Sequence, residues 1–338
     1  MSCKSDVHDH RPTGAAVSSQ VHIAQSNFPT ETNILIIGGG PAGLSAAYTC
    51  KTLGVPHLLL EAAEELGGQL RWTHSTIRGV IGSANLVPAD VCKQLVSTVT
   101  MSGCIFRTRA AVIGLDVGER TAIVSVSEVT HKVRFDSLIL ATGASERRLG
   151  VAGEELPPVF GARFSTSRSA AQFANRRVVV VGGGDRALEG ALHLALAGAE
   201  VFVVHRRAQF RARPDFQQRV WLDSRIHVVL STVVEEMKSD EQSQAVVVTL
   251  RDTSNGRIFN ERVDAVVVRI GMEPQISLIR AFVDLSDDGT VLTDRFLQTS
   301  QPGIYAVGDT CTPAWGASVV TAIGHGALAV RHASHSQL

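Results

Sequence analysis

The stretch from Asn33 to Glu61 constrains this chain most tightly. An apolar run, Ile34-Leu35-Ile36-Ile37, is followed by Gly38-Gly39-Gly40-Pro41-Ala42-Gly43, a helix-like segment and a second apolar run, Leu58-Leu59-Leu60, ending at Glu61. A lone G-x-G-x-x-G is weak. Here it lies between a strand-like run and a helical pattern, with an acid about 20 residues further on, and reads as a βαβ dinucleotide-binding unit. Gly38 allows the tight turn, Gly40 lets a pyrophosphate approach the backbone, and Gly43 allows close helix–strand packing. Pro41 and Ala42 open the helix, whose positive end faces the phosphates, and Glu61 can accept a hydrogen bond from an adenosine ribose hydroxyl.

The chain then echoes itself. Arg177 to Val181 is a valine-rich run, Gly182-Gly183-Gly184-Asp185-Arg186-Ala187 opens a helix, and Val201-Phe202-Val203-Val204 is the next strand. The interval from Gly182 to His205 equals that from Gly38 to Glu61, so this is a second unit, of G-x-G-x-x-A type. Its end differs chemically. In place of the acid stand His205-Arg206-Arg207, with Arg211 close behind. An acid would repel a 2′-phosphate and guanidinium forks bind one, so the second site favours NADP over NAD; a solvated basic turn is the bland alternative.

A length of 338 residues suits two or three domains, and 44% hydrophobic residues with 30 glycines suit an α/β protein. The formal net charge is zero, which argues against nucleic acid or an anionic membrane as the main partner. Cys3, Cys50, Cys92, Cys104 and Cys311 are too scattered for a secreted disulfide framework, so a reducing, cytoplasmic setting is expected. No apolar run approaches the roughly 18 residues of a transmembrane helix. Residues 1–31 lack an apolar signal region and read as a flexible polar tail, in which Cys3, His8 and His10 match no closed metal site. No metal is expected.

Elsewhere, Glu65-Leu66-Gly67-Gly68-Gln69-Leu70 is a tight turn leading to Trp72 and His74. Residues 88–101 have helical spacing, and residues 104–134 alternate as strands broken at Gly114 and Gly118. Runs ending at Thr142-Gly143 and at Ile270-Gly271 read as buried strands, and Gly303 to Asp309 as a short strand ending in Gly308-Asp309. Residues 317–332 form an Ala/Val/Gly-rich helix that must pack closely. Pro157-Pro158 and Asn255-Gly256 are the expected breaks.

With both glycine units, Gly67-Gly68-Gln69-Leu70, Ala141-Thr142-Gly143, His205-Arg206-Arg207, Ile270-Gly271-Met272-Glu273-Pro274 and Gly303 to Asp309 in that order, the chain resembles the low-molecular-weight thioredoxin reductase family. The resemblance implies a doubly wound, three-layer α/β fold with two Rossmann-like domains. Residues 32–147 and 261–338 would form a discontinuous FAD domain and residues 148–260 an NADP(H)-type domain. Gly38, Gly40, Pro41, Ala42 and Gly43 would then hold the FAD pyrophosphate and Glu61 the ribose. Gly68, Gln69, Leu70, Thr142 and Gly143 would lie near the flavin, and Gly308-Asp309 would bind the ribityl chain. Ala317, Ser318 and Val319 would place a helix N-terminus at the pyrimidine edge, where its partial positive charge stabilises an anionic reduced flavin. Gly182, Gly184, Asp185, Arg186, Ala187, His205, Arg206, Arg207, Arg211, Ile270 and Gly271 would form the second nucleotide site. The family also implies a homodimer.

The chain departs from that family where a redox-active Cys-x-x-Cys is expected, because Ser165-Thr166-Ser167-Arg168 occupy those positions. Neither a hydroxyl nor a guanidinium cycles between thiol and disulfide, so the family's usual dithiol route is closed. His325 stands where relatives commonly carry an acid in Gly-Asp-Gly; it is assigned no role, and a core or capping histidine is the expected reading. The leading expectation is an FAD-dependent oxidoreductase passing electrons from NADPH to a protein or small acceptor. One alternative resembles the diflavin-linked disulfide oxidoreductases, with a second FAD on Gly182 to Gly184 and a non-standard disulfide. The other is a flavin and nucleotide redox sensor with little turnover. Cys311, two residues after Asp309, is the candidate catalytic thiol, set against a buried, inert cysteine. Trp72 and Trp315 are expected either to shield a flavin or to be core.

Overall fold

A computed structural model describes residues 28–74, 76–77, 80–81, 85–161, 163–240 and 243–335. Residues 1–27 of the expected tail, with Cys3, His8 and His10, lie outside this set. The tail ends sooner than expected, because Phe28 stacks on His131 with ring centroids 4.4 Å apart and the first strand already includes Glu31.

The first sheet begins with β1 (Glu31–Ile37), helix α1 (Pro41–Leu53) and β2 (His57–Leu60), then helix α2 (Pro88–Met101) and β3 (Phe106–Arg107). A meander follows: β4 (Ala110–Asp116), β5 (Thr121–Val126) and β6 (Val129–Leu140). β1 lies parallel between β2 and β6. A parallel strand covered on both faces must be apolar at every position, not at alternate ones, and Ile34-Leu35-Ile36-Ile37 meets that demand. Ile34 and Ile36 pack with α1, whereas Leu35 and Ile37 pack with Ala122, Val124 and Phe135 of the meander. Full burial of each such side chain stabilises by about 1.5–3 kcal/mol. The meander thus covers the face opposite the helices. Gly114, an expected break, sits inside β4 at a register shift against β5.

The chain leaves through β7 (Ala144–Glu146) and builds a second sheet from β8 (Val159–Phe160), the short helix α3 (Thr166–Ser169), β9 (Arg177–Val181), α4 (Asp185–Leu196), β10 (Glu200–Val204), α5 (Pro214–Leu222) and β11 (Ile226–Val229). β12 (Thr232–Ser239), β13 (Val246–Asp252) and β14 (Ile258–Val263) form an antiparallel layer over it, with Asn255-Gly256 in the β13–β14 turn. β15 (Ala265–Val268) then inserts beside β9, giving the order β11-β10-β9-β15-β8. The expected division at residue 261 is therefore corrected: it falls inside β14, and β15 still belongs to the second sheet. Its four valine and alanine side chains are buried against β9, which fixes them there. The return to the first domain runs through β16 (Met272–Pro274), antiparallel to β7, so the paired strands rather than Pro157-Pro158 join the domains.

β17 (Ile304–Ala306) adds to the first sheet beside β6, and helix α6 (Val319–His335) packs on α1. The helices meet backbone to backbone: a Cβ at Gly326 would lie 2.1 Å from Ala42 O. Among the described residues no helix is long and apolar enough to cross a membrane, and no cluster of His, Cys, Asp and Glu could hold a metal ion.

Candidate functional site: two glycine turns and the space between them

In the first turn Gly38 has φ +108°, and a Cβ there would lie 2.4 Å from Ala141 O. Gly43 is more constrained, since its Cβ would come within 1.9 Å of Gly38 O. Gly40 caps α1, which has Pro41 in its first turn and no side-chain cap, and a Cβ at Gly40 would meet only Gly68 Cα, at 3.9 Å. The backbone donors of that first turn, Ala42 included, carry the positive end of the helix dipole toward open space. Glu61 closes the unit from below: Oε2 accepts from Gly39 N at 2.6 Å and Oε1 from Ala63 N at 2.7 Å. Each carboxylate oxygen retains a further lone pair.

Gln69 and Asp309 meet across this mouth. Gln69 Nε2 donates to Asp309 Oδ2 at 3.0 Å and to Ala144 O at 3.2 Å. Burial pushes the Asp309 carboxyl above its ordinary value, and the Gln69 bond partly opposes that shift. Thr142 and Gly143 are both tied to Gln275, through the Thr142 hydroxyl to Gln275 O and through Gln275 N to Gly143 O. Leu70 buries its side chain with Val91 and Cys92, and Val319 packs against the same cluster. Ser318 Oγ accepts from Thr321 N at 3.0 Å and so caps α6, while Ala317 beside it is exposed. Trp72 is half-buried, but Trp315 is 91% exposed, which excludes its core reading.

Gly308, at φ +66°, turns the chain into Asp309. Its amide points at His325 Nδ1, 3.4 Å away, and Cys311 Sγ lies 3.6 Å from the same nitrogen. Burial pushes the Cys311 thiol up to about 11, with the Asp309 charge adding to the rise and a bond involving Thr312 opposing it. Burial also lowers the His325 imidazole below its ordinary value. A nucleophilic cysteine needs a thiolate. The environment of Cys311 opposes one, which weighs toward the buried, inert cysteine and against the catalytic thiol. Cys50, Cys92, Cys104 and Cys311 are all free, and burial raises the first three as well.

The second turn repeats the first with different chemistry. Gly182 has φ +149° and Gly184 caps α4, again without a side-chain cap; a Cβ at Gly184 would meet nothing within 4 Å. Asp185 does not face that opening freely, because it accepts from Arg213 N at 2.8 Å and pairs with its guanidinium at 3.1 Å. Ala187 is buried in the helix–sheet interface. Arg206, Arg207 and Arg211 are exposed. Arg176, Arg177, Arg213, Arg251 and Arg262 supply ion pairs on this domain among the described residues. His205 departs from expectation. It is 7% exposed, its Nε2 bonds Gln209 O at 3.1 Å, and a Cβ at Gly183 would strike its ring at 2.4 Å. It supports the glycine turn from beneath rather than presenting a phosphate contact. Burial, reinforced by Arg207, Arg211 and Arg206, lowers its imidazole and keeps it neutral.

Between the domains, Ser165 Oγ and Ser167 Oγ lie 3.1 Å apart at the place of the missing dithiol. Arg168 Nη1 donates to His74 Nδ1 at 3.2 Å, and Arg163 stands 6.0 Å from the Trp72 ring, so this segment touches the chain just after Gln69. One organising residue escaped the sequence reading. Arg269 sends Nη1 to Gly161 O at 2.6 Å and Nη2 to Phe164 O at 2.5 Å, fixing the loop that carries Ser165. Its guanidinium is pushed down to about 10 by burial and by Arg186, against the pull of Glu146. The available signal was a cation closing a buried valine run. Ile270 beyond it packs on the second core, and Gly271 has φ +102°, its carbonyl accepting from Arg147 N at 3.0 Å.

Residues 32–330 match the family described as pyridine nucleotide-disulphide oxidoreductase. The chain is 32% identical over 304 residues to a thioredoxin reductase of Listeria monocytogenes, covering 89% of this chain and 92% of that protein. It is 30% identical over 308 residues to a thioredoxin reductase of Mycolicibacterium smegmatis, covering 90% of this chain and 96% of that one. Among solved structures, thioredoxin reductase of Lactococcus lactis in its FR conformation matches with a TM-score of 0.73 at 28% identity, over 91% of this chain and 100% of that one. The bacillithiol disulfide reductase of Bacillus cereus matches in fold, with a TM-score of 0.76 at 20% identity, over 90% of this chain and 99% of that one.

Proposed function

The chain belongs to the pyridine nucleotide-disulphide oxidoreductase family, and from that premise we propose that it is an FAD-dependent oxidoreductase carrying electrons from NADPH to a protein or small acceptor without a protein dithiol. The observation that carries this reading is the pairing of two open, uncapped helix N-termini in one chain that has no Cys-x-x-Cys anywhere.

The residues present fit the cofactor. The first turn is a cradle closed to side chains at Gly38 and Gly43 and open at Gly40, with a carboxylate at its base. Gly38 to Gly43 would hold the pyrophosphate, Glu61 the ribose, and Gln69 with Asp309 the ribityl side. When bound, FAD supplies reversible two-electron chemistry, taking a hydride from a nicotinamide and passing electrons onward. The chain's own task is placement. Arg206, Arg207 and Arg211 recognise a 2′-phosphate by charge-assisted bonds, and the open N-terminus of α4 receives the pyrophosphate. Arg269 holds Gly161 and Phe164 ahead of Ser165, and Arg168 reaches His74; with Ser165 and Ser167 in place of a dithiol, an acceptor would have to come to the flavin site itself. A homodimer, implied by the family, is part of the same proposal.

The test is anaerobic titration of the flavin-loaded protein with NADPH, followed at the flavin absorbance near 450 nm. Bleaching by about one NADPH per flavin, faster than with NADH, is the expected result. An unbleached flavin, or acid release of two FAD per chain, would overturn it.

A further inference from the structure

His325 lies inside the flavin-binding half of the molecule, yet nothing in the proposed electron path uses it. Its Nδ1 receives the Gly308 amide at 3.4 Å and faces Cys311 Sγ at 3.6 Å. Gly308 is the hinge of the turn that presents Asp309. Its φ of +66° favours glycine, and a Cβ there would lie 3.2 Å from Ala42 Cβ, so the turn has little room to shift toward α1. α6 cannot move independently either, because Gly326 is seated against Ala42 O and Ala46 N. His325 therefore ties the Gly308-Asp309 turn to the helix that packs on the phosphate cradle.

We propose that His325 is a positioning residue that fastens the Gly308-Asp309 turn for FAD only while its imidazole is neutral, so that flavin affinity depends on pH. The inference rests on the FAD reading above. An Nδ1 that accepts from Gly308 N puts the ring proton on Nε2. A second proton would go to Nδ1, turning the acceptor into a donor that faces the Gly308 N–H, while the Cys311 thiol donates to Gly308 O at 3.5 Å. The ionisable groups facing the ring are Cys311 and, across Gly308, Asp309, both on the turn itself. α1 meets α6 next to His325 at Gly326, where the neighbours are the Ala42 and Ala46 backbone, and α6 carries no charged side chain between His325 and Arg331. Burial already holds the imidazole below its ordinary value, so the neutral form persists through neutral pH. Affinity is therefore complete at neutral pH and is lost as pH falls through the depressed value of the folded imidazole.

The test is the dissociation constant of FAD for the full chain, read from flavin fluorescence at pH 7.5 and 5.5, for wild type, His325→Asn and His325→Val. Asn can accept the Gly308 amide through its carbonyl but does not titrate; Val can do neither. Wild type should weaken about fivefold to tenfold between the two pH values, the size of one lost hydrogen bond. H325N should bind like wild type at pH 7.5 and keep most of that affinity at pH 5.5, any residual loss reporting Asp309. H325V should be weak at both. A pH loss in H325N equal to that of wild type would overturn the proposal, as would wild-type affinity in H325V. Should H325V fail to fold, the H325N profile decides alone. Failure of every variant, wild type included, to bind FAD at either pH would instead overturn the FAD reading itself.

Discussion

Gln69 Nε2 donates to Asp309 Oδ2 at 3.0 Å, joining the turn after β2 to the turn after β17 across a sequence separation of 240 residues. The bond acts on a carboxyl that burial has already raised. Substituting Gln69 by Leu removes the opposing influence, and FAD affinity should fall about tenfold by fluorescence titration. Asp309→Asn should separate stability from binding. A carboxyl whose folded value is raised favours the folded state below the unfolded value near 3.8 and loses that contribution as pH rises through the folded value. At pH 7 the flavin-free D309N protein should therefore melt higher than flavin-free wild type while binding FAD more weakly. A lower melting temperature for D309N would contradict this account of Asp309.

Cys311 gives a sharper contrast with expectation. With its thiol held up to about 11, it should react slowly with a disulfide reagent at pH 7.5 in the native protein and quickly after denaturation. Cys311→Ser should retain NADPH-to-acceptor turnover within about twofold, since no step requires a thiolate there. Loss of nearly all turnover in C311S would restore the thiol to the chemistry.

The two βαβ units were legible because an all-apolar strand, a glycine turn and a helix follow from local sequence and reappear at the same interval. What stayed hidden was set by contacts between distant segments. Nothing in His205-Arg206-Arg207 distinguishes a buried imidazole beneath Gly183 from an exposed one beside two arginines; only the fold puts the ring there. β15 is an all-apolar run, as Ile34 to Ile37 of the first sheet is, and its place beside β9 is decided by partner, not by propensity. Gly114 has the character of a turn residue, yet β5 runs past it and turns it into a register shift. The contact of Cys311 with His325 needs α6 to fold back over the turn.

The arginines of the second site should discriminate between nucleotides. Replacing Arg206 and Arg207 together by Ala should raise KM for NADPH roughly 10- to 100-fold, the worth of charge-assisted bonds at about 1.5–3 kcal/mol, and leave KM for NADH nearly unchanged. Equal losses with both nucleotides would assign these side chains to general folding rather than to the 2′-phosphate.

Gly326→Ala tests the closeness of α6 to α1. A methyl group 2.1 Å from Ala42 O forces the helices apart, at a cost of about 1–3 kcal/mol by analogy with overpacked cores. The melting temperature should fall, and because Ala42 belongs to the phosphate cradle, flavin should be lost at lower urea than in wild type. A variant that melts lower but retains flavin as firmly would show that the cradle is held independently of α6.

His205 should make the second domain acid-sensitive. Its folded value is lowered, first by burial and then by Arg207, Arg211 and Arg206, so the neutral ring is the form the fold accepts. For a histidine with a depressed folded value, the contribution to stability is present above the unfolded value near 6.5 and is lost as pH falls toward the folded one. Between pH 7.5 and 5.5 the urea midpoint of the wild-type protein should therefore drop, and the drop should be smaller in His205→Asn, which keeps a polar group near Gln209 O but cannot be protonated. His57 is lowered by burial too, and its Nε2 accepts from Ile105 N at 3.3 Å, so part of the acid loss should persist in that variant. A double variant, His57→Asn with His205→Asn, should flatten the profile further. An unchanged slope in both variants would mean that neither imidazole is kept neutral by the fold and that acid acts through other groups.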